Sequence, residues 1–212
     1  MKTPNLLKLT AAALLLVAAN SFAQSGTIVG SRHDFSYAGW SNNEVCIVCH
    51  AAHNNLNLPG ELLWNHTNST ADYTVYSSPT FDQVAASPPS GSSKLCLSCH
   101  DGTVAVDSFG GDTGTELIGN FNPNVDFGTD LSNDHPISFA YVVGEGEELN
   151  PVTTTVTFGD GSGGTISNML FGGQVECSSC HDVHSTKSGL ANKYLLLIDN
   201  TDSTLCLTCH AK

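Results

Sequence analysis

The pattern Cys-x-x-Cys-His occurs four times in this chain, at Cys46–His50, Cys96–His100, Cys177–His181 and Cys206–His210, and it uses all eight cysteines. Two thiols three residues apart, followed at once by an imidazole, match the requirements of one c-type haem. The sulfurs form thioethers to the two vinyl groups, and the histidine lies under the iron. Zinc sites, redox disulfides or a disulfide framework would also use paired cysteines, but none of these needs the fifth residue. Histidine is nine of 212 residues, so four chance occurrences at that place have odds on the order of one in 300,000. The expected cofactors are therefore four covalently attached c-type haems with their iron. Cys46, Cys49, Cys96, Cys99, Cys177, Cys180, Cys206 and Cys209 are the attachment residues, and His50, His100, His181 and His210 the proximal ligands.

Export agrees with this chemistry. Residues 1–23 carry Lys2 and Lys8, an apolar stretch from Leu9 to Ala19 and the small-x-small run Ser21-Phe22-Ala23, the pattern of a secretory signal peptide. No stretch is long and apolar enough to predict a membrane span. Without the leader, five basic side chains face twenty acidic ones, a net charge of −15. Such a surface repels nucleic acid and anionic bilayers, and suits solubility, basic redox partners or metal cations. The destination is the cell exterior or the periplasm.

Residues 24–212 are expected to form one domain, mostly irregular, with short helices and a few β-hairpins organised around the haems. About 47 residues per haem leave little chain for a conventional core, and the stretch from Gly102 to Gly173 is rich in turn formers. Val152–Phe158 alternates β-branched and polar residues before the Gly159–Gly164 turn, which predicts a hairpin. Asp160 in that turn lacks the ligand spacing of a calcium loop. Short helical turns are expected to carry the attachment motifs.

The motifs also alternate. The first and third extend to Cys-x-x-Cys-His-x-x-His, ending in His53 and His184, whereas the second and fourth share Leu-Cys-Leu. Two related two-haem units are implied, each too small to bury its porphyrins alone.

The sixth iron ligands must come from the five other histidines, His33, His53, His66, His135 and His184. Bis-histidine ligation of four irons leaves one histidine spare, and Met169 is the one methionine beyond the leader. His53 and His184 follow a proximal histidine too closely to reach the opposite face of the same porphyrin, so each is expected to serve a neighbouring iron. His135, in Asp134-His135-Pro136, is either a ligand or a loop histidine, and the carboxylate beside it could hold its ring. His66 follows an apolar run. His33 is the tenth residue after the leader, on an arm that could extend about 30 Å. It is either a tail residue or a ligand given to another molecule.

Arg32–Ser36, the Cys46–His53 motif, Leu63-Trp64-Asn65, Leu95–Ala105, Asp134–Phe139 and Cys177–His184 resemble the doubled Cys-x-x-Cys-His multihaem cytochromes. Within them, the haem count, size and leader are most similar to the OmcE-type extracellular tetrahaem cytochromes. That resemblance implies bis-histidine haems and head-to-tail filaments of identical subunits, with one distal histidine crossing to the adjacent copy. His33 is the candidate for that bridge, and His66 the alternative bridge or spare. The resemblance implies electron transfer to redox partner proteins or extracellular acceptors rather than catalysis. A soluble periplasmic carrier uses the same residues, and a reductase would need an open sixth position at one iron.

Overall fold

Residues 28–53, 63–144, 148–188 and 194–211 are described in the computed structural model. The leader expected over residues 1–23 lies outside them.

Two cysteines three apart share one face of a helical turn, and the backbone builds that turn at every motif. The histidine N–H donates to the carbonyl of the first cysteine in His50 to Cys46 (2.8 Å), His181 to Cys177 (3.0 Å) and His210 to Cys206 (2.9 Å). The second motif closes α1 (Gly91–His100), which follows the Ser87-Pro88-Pro89-Ser90 segment. After α2 (Ile118–Phe121), the third motif forms α3 (Cys177–Cys180) and the fourth ends α4 (Thr204–Cys209).

Single helical turns are unstable alone, and here each is clamped by a distant segment. Around the first motif, Ala51 N–H donates to Leu63 O and Asn65 N–H to Cys49 O, both at 2.9 Å. The third repeats this with Asp182 to Leu195 (2.7 Å) and Leu197 to Cys180 (2.8 Å). The fourth does so with Ala211 to Glu148 and Asn150 to Cys209, both at 2.8 Å. Three proximal histidines thus sit in isolated antiparallel bridges, His50 with Trp64, His181 with Leu196 and His210 with Leu149. Leu63 and Leu195, the first residues of two clamps, both have positive φ (54° and 57°), a conformation unfavourable for leucine and held here by the bridge. The likeness of the first and third motifs therefore extends beyond their shared second histidine.

The β structure is small. Strand β2 (Thr155–Thr157) pairs antiparallel with β3 (Gly163–Thr165), with Val156 opposite Gly164. This is the hairpin expected from the sequence, shortened at its start because Val152 accepts from Ser167 in a turn (2.9 Å). Asp160 accepts from the Ser162 N–H and hydroxyl at 2.8 and 2.7 Å, so it closes the turn. A second ladder joins β1 (Phe139–Ala140) to β4 (Gln174–Val175), far apart in sequence. Phe139, Tyr141, Val156, Phe158, Ile166, Met169, Val175, Leu197 and Ile198 form one apolar core around the two ladders.

Ile166 is fully buried in that core, whereas Val84 is 87% exposed. Ile166→Ala is expected to lower stability by about 2–5 kcal/mol, and Val84→Ala by less than about 0.5 kcal/mol. Denaturant titration followed by circular dichroism measures both, and equal effects would contradict this placement of the core.

Candidate functional site

Successive attachment turns are neighbours in space. Cys99 and Cys96 lie close enough to Cys49 for their thiols to oppose one another's ionisation. Cys96 and Cys177 lie close enough for each thiol to shift the other's ionisation, and Cys180 lies beside Cys209 and Cys206. Motif one therefore adjoins two, two adjoins three, and three adjoins four. All eight cysteines are free thiols. Burial pushes Cys49 and Cys180 up to about 11 and raises Cys99 well above its ordinary value. Among the described residues, no group of three or more His, Cys, Asp and Glu side chains is arranged to hold a metal ion directly.

The histidines come together in pairs. Ring centres are 6.1 Å apart for His50 and His184, 6.0 Å for His33 and His100, and 6.4 Å for His135 and His210. Two imidazoles on opposite sides of one metal, each bonded at about 2.0 Å, have ring centres about 6.3 Å apart. All three pairs have that spacing, and each contains one motif histidine and one other. His33 also has a buried Nδ1 with no hydrogen-bond partner among the described residues. Burial, reinforced by His100, His181 and His184, holds its imidazole down at about 4. It is consequently neutral at physiological pH, the form that ligates metal.

Backbone carbonyls orient several rings. His100 Nδ1 pairs with Val125 O at 2.8 Å, His181 Nδ1 with Tyr194 O at 2.9 Å, and His135 Nδ1 with Pro136 O at 2.9 Å. Each leaves Nε2 for a metal, an arrangement that fixes both tautomer and direction. The partner of His135 is thus the proline carbonyl and not the Asp134 carboxylate suggested by the sequence. Phe127 stacks on His100, 5.5 Å away and 18° from parallel.

Three residues remain outside these pairs. His181 has no ring partner among the described residues, and His53 is exposed beside its own motif. His66 is fully buried, with Nδ1 2.8 Å from Thr67 O, Nε2 3.0 Å from Ala105 O and Cys99 Sγ 3.4 Å from Nε2. Both its nitrogens face carbonyls, and burial lowers its proton affinity. Met169 is packed inside the apolar core.

The arrangement fits c-type haem: paired sulfurs on single helical turns, an imidazole closing each turn, and a second imidazole at trans-ligand spacing in three cases. A bound haem supplies a one-electron iron couple whose potential its axial ligands set. Sequence inspection passed over Glu176, a carboxylate only 2% exposed at the entrance to α3. Its one outward sign was an acidic residue between the apolar Val175 and the motif Cys177. The clamping segments were missed as well, since nothing in Leu195-Leu196-Leu197 or Glu148-Leu149-Asn150 marks a partner 13 to 63 residues away.

Residues 170–212, which contain the third and fourth motifs, match the family model of the doubled CXXCH motif. No curated protein matches the chain. Together with the paired thiols and histidines, the family match supports a multihaem c-type cytochrome with electron transfer as its activity.

Proposed function

We propose that this protein is an exported tetrahaem cytochrome that carries electrons along four bis-histidine c-type haems, as the subunit of an extracellular conductive filament. The observation that carries the electron-transfer part is the proximity of the attachment turns, in which the thiols of successive motifs adjoin from Cys49 to Cys209. Attachment along such a row favours short steps from each centre to the next.

In this proposal His50 and His184 hold the first iron, His33 and His100 the second, and His135 and His210 the fourth. The third falls to His181 with His53, the exchange that mirrors His50 with His184. His66 is then the spare histidine, its ring nitrogens turned to the Thr67 and Ala105 carbonyls and one of them donating. Occupation of all sixth positions favours carriage of electrons over a reductase.

The filament rests on the resemblance and on the place of His33. It lies on an arm that begins the described chain and reaches the motif-two histidine of the same molecule. Asn42 and Asn43, both at positive φ (55° and 63°), separate that arm from the first motif. A contact made by such an arm can pass to the next copy, and repetition without closure gives a fibre. If the arm stays at home, the same residues make a soluble periplasmic carrier.

His33→Ala is expected to retain four covalent haems by mass spectrometry, convert one from low to high spin in the oxidised spectrum and abolish filaments in electron micrographs. Four low-spin haems in that variant would remove His33 from the ligand set, and filaments without it would place the bridge elsewhere. His53→Ala is expected to give one high-spin haem too, and the double variant two. A double variant with the spectrum of either single one would contradict separate irons for these histidines.

Cys177→Ala is expected to leave the third haem on one thioether, with a shifted α-band in the pyridine haemochrome spectrum. It should also lower stability, since porphyrin replaces core here. An unshifted band would contradict attachment at that cysteine.

A further inference from the structure

Glu176 does not take part in attachment or ligation, yet it is only 2% exposed and its side chain accepts three hydrogen bonds from residues distant in sequence. Its Oε2 accepts from the Ser93 backbone N–H at 3.3 Å, from the Ser93 hydroxyl, and from the Ser138 hydroxyl at 3.1 Å. The Ser93 hydroxyl in turn accepts from the Cys177 N–H at 2.9 Å. A closed circuit therefore runs from Cys177 through Ser93 to Glu176 and back along the chain. Ser92 and Ser178 hydroxyls bond across the same seam, and the Glu176 N–H donates to Ser179 Oγ at 3.0 Å. Ser138 anchors the circuit to the Ser90 N–H just ahead of α1, at 3.0 Å.

Two features show how closely this seam is fitted. A Cβ on Gly91 would lie 2.7 Å from Glu176 Oε1, at a backbone φ of +51°, so a side chain is excluded there twice over. Glu176, Ser93 and Ser138 are each at most 2% exposed. A buried carboxylate is costly unless hydrogen-bonded, and its partners here among the described residues are hydroxyls and an amide. A better-packed apolar residue would hold two helices together at lower cost. The polar circuit, unlike apolar packing, fixes register: it selects one placement of α1 against α3 and so brings the Cys96 and Cys177 thiols close enough to shift each other's ionisation.

We propose that Glu176 is a positioning residue for electron exchange between the second and third haems. It locks the two helical turns that carry Cys96 and Cys177 and thereby sets the separation of the centres attached there. This rests on the tetrahaem electron-transfer function proposed above. The step it controls is a one-electron exchange, in which one iron goes from ferrous to ferric as its neighbour goes from ferric to ferrous.

The test uses the haem-loaded protein. Glu176→Ala is expected to keep four covalent, low-spin haems but to slow exchange between the second and third about tenfold in NMR exchange spectra, leaving the first-to-second and third-to-fourth steps unchanged. The magnetic interaction between the two ferric centres should weaken in parallel in electron paramagnetic resonance. Glu176→Gln, which still presents an acceptor to Ser93 and Ser138, is expected to restore both readouts. Ser93→Ala, a smaller change, should reproduce the loss in lesser degree and serves if Glu176→Ala does not fold. Unchanged exchange and coupling in Glu176→Ala, or in Ser93→Ala where the former fails to fold, would overturn the proposal. Equal slowing of all steps would reduce Glu176 to a general stabilising residue and overturn it as well. Absence of haems, or of any inter-haem exchange, in the unaltered protein would instead overturn the electron-transfer function.

Discussion

The structure depends on one repeated backbone device, the helical turn that closes each Cys-x-x-Cys-His motif and the bridge that clamps it. The histidine N–H returns to the first cysteine carbonyl, which turns both sulfurs to one face. An isolated turn gains too little from one hydrogen bond to persist. At motifs one, three and four, two bonds to a remote segment supply the missing constraint, and the same segments cover the proximal histidines. The second motif uses another solution, a longer helix with Phe127 N–H donating to His100 O at 2.7 Å. Short irregular chain can therefore place attachment residues firmly without large sheets or long helices.

From these turns follow the order of the sites and their electrostatics. Neighbouring thiols adjoin because the turns pack successively, and burial raises the pKa of Cys49, Cys99 and Cys180. The histidine pairs cross between turns: His184, attached to the third motif's segment, stands beside His50 of the first. The His50–His184 contact joins the first and third motif segments. This is a physical reason for two related halves to behave as one body, alongside the apolar core that gathers Phe139, Val156, Ile166 and Leu197.

Much of the site was legible because its chemistry is local. The five residues of each motif are contiguous, and the spacing of His53 and His184 from their own motif histidines sets them apart from those, His184 standing beside His50 instead. The hairpin was legible from Val152–Phe158 and the glycines after it, although packing moved its start to Thr155. The β1–β4 ladder and the clamps were not, since Phe139 with Val175 and His210 with Leu149 are long-range pairings between unremarkable residues. His66 and His33 show the same limit. Both looked like candidate ligands, and only the fold distinguishes a ring enclosed by two carbonyls from a ring facing His100 with an unpaired nitrogen. Glu176 escaped notice because its partners, Ser93 and Ser138, are 83 and 38 residues away.

The central claim is that successive motifs hold successive irons in a row, with paired imidazoles on each. The most direct test is a structure of the haem-loaded protein with irons located by anomalous scattering. The account predicts four irons in motif order, with His50 and His184 on opposite faces of the first, His33 and His100 of the second and His135 and His210 of the fourth. An iron lying out of that order, or imidazole pairs divided among different irons, would contradict it.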